Sequence, residues 1–166
     1  MVLVDTSVWI RFLANRAPYA AELDRLLGLD EVTGHELVYG ELLIGDRGGR
    51  RKLLAAYERM HQVAVVPHRD VVAFVRDRDL YGRGVGWIDV HLLASAILGR
   101  LQLWTADPRF SAVADELGVA YGASLETGGE RSLGGRGHRR IRDLKAAGVG
   151  EDLAHRVTNV RKPARS

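Results

Sequence analysis

Val2-Leu3-Val4-Asp5-Thr6-Ser7-Val8-Trp9 sets three apolar residues directly before an acid and two hydroxyls, then resumes an apolar pattern at helical spacing. Val2 to Val4 reads as a short buried strand. Thr6 opens a helix that Asp5 is suited to cap. A strand without polar alternation that runs straight into a helix is the first unit of a parallel α/β sheet. The rest of the chain repeats the unit. Spacing predicts helices over residues 6–15 and 19–28, with Pro18 placed for the first turn of the second. Further helices are predicted over 35–44, 50–62, 70–81, 87–98 and 108–117. Strands are predicted at 31–33, 63–66, 101–104 and 119–121. The fold class is therefore α/β, with a central, mostly parallel sheet flanked by helices on both faces. No internal repeat is found.

The 166 residues are 46% hydrophobic, enough for one domain with a substantial core. There are no cysteines, which excludes disulfides, thiolate metal sites and thiol nucleophiles and suits a reducing cytoplasm. No apolar run reaches the ~20 residues that span a bilayer, so no membrane association is expected. The formal charge of +3 is unevenly distributed. Residues 125–166 hold ten Lys/Arg and five Asp/Glu, leaving a mildly acidic body. Glycines cluster at Gly128-Gly129, Gly134-Gly135 and Gly137, and the sequence beyond has too few apolar residues for a core. Two parts follow: a folded domain over 1–124 and a basic tail over 125–166, flexible or in short helices.

Four acids stand inside or at the end of apolar segments. Asp5 closes the first strand, and Asp107 follows Leu101 to Trp104 through Thr105-Ala106. Glu41 has Leu37, Val38 and Ile44 as its helical neighbours, which predicts a carboxylate on an apolar face. Asp89 heads the stripe Leu92, Leu93, Ala96 and Ile97 in the same way. Each also has a purely structural reading. Asp5, Asp89 and Asp107 can cap the helices they begin, and Glu41 can pair with a base. Their joint placement favours a site. Ligands of open parallel sheets collect outside the carboxyl ends of the strands, and both Asp5 and Asp107 follow a strand. Isolated buried carboxylates are costly, whereas a divalent cation with hard oxygen preferences, Mg²⁺ or Mn²⁺, lets several share one site.

These segments resemble the PIN domain, and more closely the ribonuclease toxins of bacterial VapBC-type toxin–antitoxin pairs. The resemblance rests on residues 2–9, on Glu41-Leu42-Leu43-Ile44-Gly45, on Gly84 to Ala96, and on Leu103 to Phe110. It covers about residues 1–122. It implies a metal-dependent endoribonuclease acting on RNA, with Asp5, Glu41, Asp89 and Asp107 at the acidic metal-binding, catalytic positions. It implies that Thr6, Ser7 and Thr105 occupy hydroxyl positions beside the acids. It also implies a small antitoxin protein as partner, and a homodimer. The tail lies outside the resemblance. Its segment from Arg139 to Lys162 is faintly similar to the carboxyl-terminal nucleic-acid-binding end of group II intron reverse transcriptases.

Two rivals stand beside this reading. A phosphatase of the haloacid-dehalogenase kind also puts an Asp at the end of its first strand. That family wants an acid two residues later, where this chain has Ser7, and Lys52 is the only lysine before the tail. A non-catalytic RNA-binding module would have no reason to hold four costly acids together. Arg109, in the first turn after Asp107, and Arg50 and Arg51 in a basic run are candidates for phosphate contact. Trp9, Trp87 and Trp104 are expected in the core. His35, His61 and His68 are expected as surface or cap residues, and His91 on a different helix face from Asp89.

Overall fold

A computed structural model of the protein describes residues 1–122. The expected boundary near 124 and the whole tail lie outside them. β1 (Val2–Val4) runs between β2 (Val32–Thr33) and β3 (Gln102–Trp104), in the order β2-β1-β3, with both pairings parallel. Val2 faces Val32 and Gln102, and Leu3 faces Thr33 and Leu103. Successive strand residues point to opposite faces, yet Val2, Leu3 and Val4 are all buried, so both faces of the central strand are covered. The cover comes from α1 (Thr6–Leu13), α2 (Tyr19–Gly28), α3 (Glu36–Ile44), α4 (Arg51–Tyr57), α5 (His68–Asp77), α6 (Trp87–Leu98) and α7 (Pro108–Glu116). The most deeply placed is α6, buried continuously from Asp89 to Ala96 as a helix apolar all round should be. Among the described residues no helix is long and apolar enough to cross a membrane.

Two expected strands are reduced to single parallel bridges, Gly34 with Gln62 and Leu103 with Ala120. At the first, Gly34 N–H donates to His61 O at 2.7 Å and Gly34 O accepts from Val63 N–H at 3.0 Å. The neighbouring β2 is only two residues long, so Val63 to Val66 have no further edge to pair with. Helix ends move for local reasons. Pro67 takes the N-cap position of α5, which therefore starts at His68 rather than Asp70. α4 stops at Tyr57, five residues short of the predicted end.

Trp9 and Trp104 lie in the core as expected. Trp9 meets Phe12 and Tyr57 edge-on, with ring centroids 5.9 and 5.3 Å away. Trp104 lies between Tyr19 and Tyr121. Trp87 departs from the expectation and is 46% exposed.

Candidate active site

The strand order reverses direction at β1, and such a switch point leaves a crevice at the carboxyl edge of the sheet. Asp5 follows β1 directly, His35 stands two residues beyond β2, and Asp107 stands three beyond β3. These positions share one edge because all three strands run the same way.

Asp5 is 1% exposed, and its two oxygens are treated very differently. Oδ2 accepts from Ser7 Oγ at 2.5 Å, from Thr105 Oγ1 at 2.8 Å and from Ser7 N–H at 3.4 Å. Oδ1 is buried with no hydrogen-bond partner. The two hydroxyls are themselves fixed by the turn after β3. Ser7 Oγ accepts from Ala106 N–H at 3.0 Å, and Thr105 Oγ1 accepts from Asp107 N–H at 3.1 Å. One network thus ties the end of β1 to the end of β3 and aims the Asp5 carboxylate.

The other acids enter from helices. Thr6 Oγ1 donates to Glu41 Oε2 at 2.5 Å, linking α1 to α3. Asp89 is buried in the first turn of α6, where its Oδ2 accepts from Gly86 N–H at 2.7 Å. Asp107 caps α7, its Oδ1 accepting from Arg109 N–H at 2.9 Å and Phe110 N–H at 3.2 Å. The capping readings of Asp5, Asp89 and Asp107 are therefore realised, Asp89 as the third residue of a capping box on Gly86.

Glu41 differs from its expected surroundings. Val38 and Leu42 are buried, but Ile44 is 88% exposed. The carboxylate stands at the border of the apolar face, within reach of Thr6, instead of inside it.

The basic candidates separate. Arg109 is exposed, and its side chain crosses Gly84, where an added Cβ would come within 3.1 Å of Arg109 Cδ. Gly84 has φ +77°, so the loop needs glycine there for backbone reasons as well. Arg51 is exposed, whereas Arg50 is 6% exposed with its Nη1 buried and unpartnered. Burial holds the Arg50 guanidinium below its usual pKa range, partly offset by Asp46.

His35 is a functional-site neighbour that the sequence did not distinguish. It is fully buried and caps α3, with Nδ1 accepting from Leu37 N–H at 3.1 Å. That bond puts the ring proton on Nε2, which donates to Ser95 Oγ of α6 at 3.1 Å. Tyr57 Oη lies 3.0 Å from the His35 N–H that donates to it. One side chain therefore holds the helix of Glu41 against the helix of Asp89. Burial, helped by nearby His91, pushes the His35 pKa down to about 4. The unfolded imidazole binds protons near pH 6.5 that the folded one refuses. Its contribution is thus complete above about 6.5 and is lost as pH falls toward 4, by up to about 3 kcal/mol. Urea midpoints of the His35→Gln variant are expected to fall less steeply over that window than those of the parent. Parallel slopes would show that His35 is not the group responsible.

A hard cation suits this edge chemically. Asp5 Oδ1 is a buried anionic oxygen that no hydrogen bond satisfies, and its orientation is locked by Ser7 and Thr105. Among the described residues no three His, Asp or Glu side chains stand close enough to hold an ion by themselves. An ion here would lean on few protein oxygens and on water, which is the habit of Mg²⁺.

Comparison with known proteins supplies independent information. A profile of the PIN domain matches residues 2–116. The chain is also similar to the Ribonuclease VapC32 of Mycobacterium tuberculosis, in the strains CDC 1551 / Oshkosh and ATCC 25618 / H37Rv. In both cases the identity is 46% over 121 residues, covering 72% of this chain and 95% of the relative.

Proposed function

The chain belongs to the PIN-domain family, and on that premise we propose that it is the endoribonuclease toxin of a toxin–antitoxin pair, with Asp5, Glu41, Asp89 and Asp107 as its metal-binding, catalytic acids. The observation that carries the reading is the division of labour on Asp5, where one oxygen takes three donors and the other, buried, takes none. A carboxylate meant only as a helix cap has no need of a locked, unpartnered second oxygen.

Mg²⁺ or Mn²⁺, when bound, activates water and neutralises charge on the scissile phosphate. The chain's own residues do the positioning. Ser7 and Thr105 fix the Asp5 plane, Thr6 holds Glu41 toward the same edge, and Gly86 holds Asp89. Arg109, exposed one turn into α7, is placed for the RNA phosphate backbone. Arg51 is exposed where Arg50 is buried, so Arg51 takes the second contact and Arg50 supports from within. The expected protein partner is a small antitoxin that blocks the acidic edge, with the toxin itself a homodimer in the cytoplasm.

Single-stranded RNA and a simple phosphate monoester, each offered with and without EDTA, separate the rivals. EDTA-sensitive RNA cleavage with no monoester hydrolysis supports the nuclease. Monoester turnover would favour the phosphatase, and RNA binding without any cleavage the non-catalytic module.

Thr105→Val removes the donor to Asp5 and the acceptor of Asp107 N–H while keeping the shape. Such orienting contacts are worth about 10- to 100-fold in activity. kcat/KM for RNA cleavage is expected to fall by that factor, and Thr105→Ser to recover most of it. Equal rates for the Val and Ser variants would remove Thr105 from the site. For the tail, a chain ending at Ser124 is expected to cut the same bond. Its RNA affinity should be lower, by a deficit that shrinks with added salt. Loss of cleavage at every salt concentration would place part of 125–166 within the active fold.

A further inference from the structure

We propose that Trp87 is a stacking platform for a nucleobase of the RNA substrate, an inference that rests on the nuclease reading above. The indole is 46% exposed, although it opens the helix whose next turns are buried throughout. It is nevertheless held in place. The His91 ring meets it edge-on at 4.9 Å, and the His68 ring stands at 5.0 Å. An exposed tryptophan with two supporting rings has lost much of its rotamer freedom before any ligand arrives, which lowers the cost of stacking on it. Trp9 and Trp104, by contrast, spend their rings on core contacts.

Position supplies the occupant. Trp87 lies two residues before Asp89, about 200° around the helix, and shares its face with His91, so the ring stands outside the acidic edge. The loop that leads into it carries Gly84, over which the exposed Arg109 side chain lies. A guanidinium of α7 beside this loop, two residues after Asp107, and a half-exposed ring where the loop enters α6 match the two chemistries that bind single-stranded nucleic acid, charge for the backbone and a plane for the base. Stacking is tolerant of base identity, so the contact adds affinity and register rather than a strict sequence code.

The full chain carrying Asp89→Asn, to prevent turnover, is titrated with a single-stranded oligoribonucleotide while tryptophan emission is followed. Trp87 is the exposed tryptophan of the three, so base stacking is expected to quench emission in the parent and not in Trp87→Phe. Trp87→Ala is expected to weaken binding by about 5- to 150-fold, the equivalent of ~1–3 kcal/mol per stacked base, and Trp87→Phe by much less. An oligonucleotide with an abasic position is expected to reproduce the alanine loss at one position only, and there the two losses should not add. Unchanged affinity in Trp87→Ala, with normal RNA cleavage by the otherwise wild-type chain, would overturn the platform and leave the nuclease reading standing. Unchanged RNA affinity together with weakened capture of a partner protein would reassign Trp87 to a protein interface. A wild-type chain that neither binds nor cleaves RNA would overturn both readings.

Discussion

Asp5→Asn and Asp89→Asn are each expected to lower RNA cleavage by at least about 100-fold while leaving the fold in place. Changes in the groups that merely orient a ligand cost 10- to 100-fold, and loss of the ligand itself should exceed that. The asparagine oxygen can still accept from Ser7 and Thr105 at position 5, or from Gly86 N–H at position 89, so the local geometry survives. What disappears is the anionic second oxygen. Melting by circular dichroism is expected to be unchanged or slightly higher, because a neutral amide costs less to bury than a carboxylate in the metal-free state. Full activity in both variants would remove these two acids from the mechanism.

Trp9→Ala is expected to cost about 3–5 kcal/mol of stability, the range for emptying a large aromatic site in a core. Trp9 packs α1 against Tyr57 of α4 and has almost no exposed surface, so little of the cavity can be refilled by solvent or by collapse. Domains of this size hold only about 5–15 kcal/mol in total, so the variant should lose a large share of its stability. Urea unfolding followed by circular dichroism reads the effect directly, and Trp9→Phe should recover part of it. An unchanged midpoint would mean that the α1–α4 contact is not a main support of the domain.

Several of these features were readable before any coordinates. Asp5 and Asp107 could be placed because a strand end is a local event: an apolar run stops, an acid and a hydroxyl follow, and a helix begins. The parallel sheet followed from the same repetition. What escaped depended on contacts far away in sequence. His35 looks like an ordinary cap until Ser95, sixty residues on, and Tyr57, twenty-two residues on, close around it. Arg50 belongs to a run that reads as solvated, yet burial against its own fold takes it out of water. Glu41 shows the limit of periodicity. The pattern identifies Leu37, Val38 and Ile44 as one stripe but not how far neighbouring elements cover it, and here the cover stops before Ile44. The same limit explains Trp87, whose spacing is that of a core residue while its helix start stands open to solvent. The strand lost at 63–66 is a matter of supply, since β2 offers only two residues for pairing.

The proposed nuclease depends on a divalent cation held by Asp5 and its companion acids to cut RNA. Cleavage of single-stranded RNA by protein first stripped with EDTA, then titrated with Mg²⁺ and Mn²⁺, tests it most directly. No cleavage is expected in EDTA, with saturable recovery as either ion is restored and no recovery in Asp5→Asn at the same concentrations. Cleavage that continues undiminished in EDTA, or that returns equally in Asp5→Asn, would contradict it.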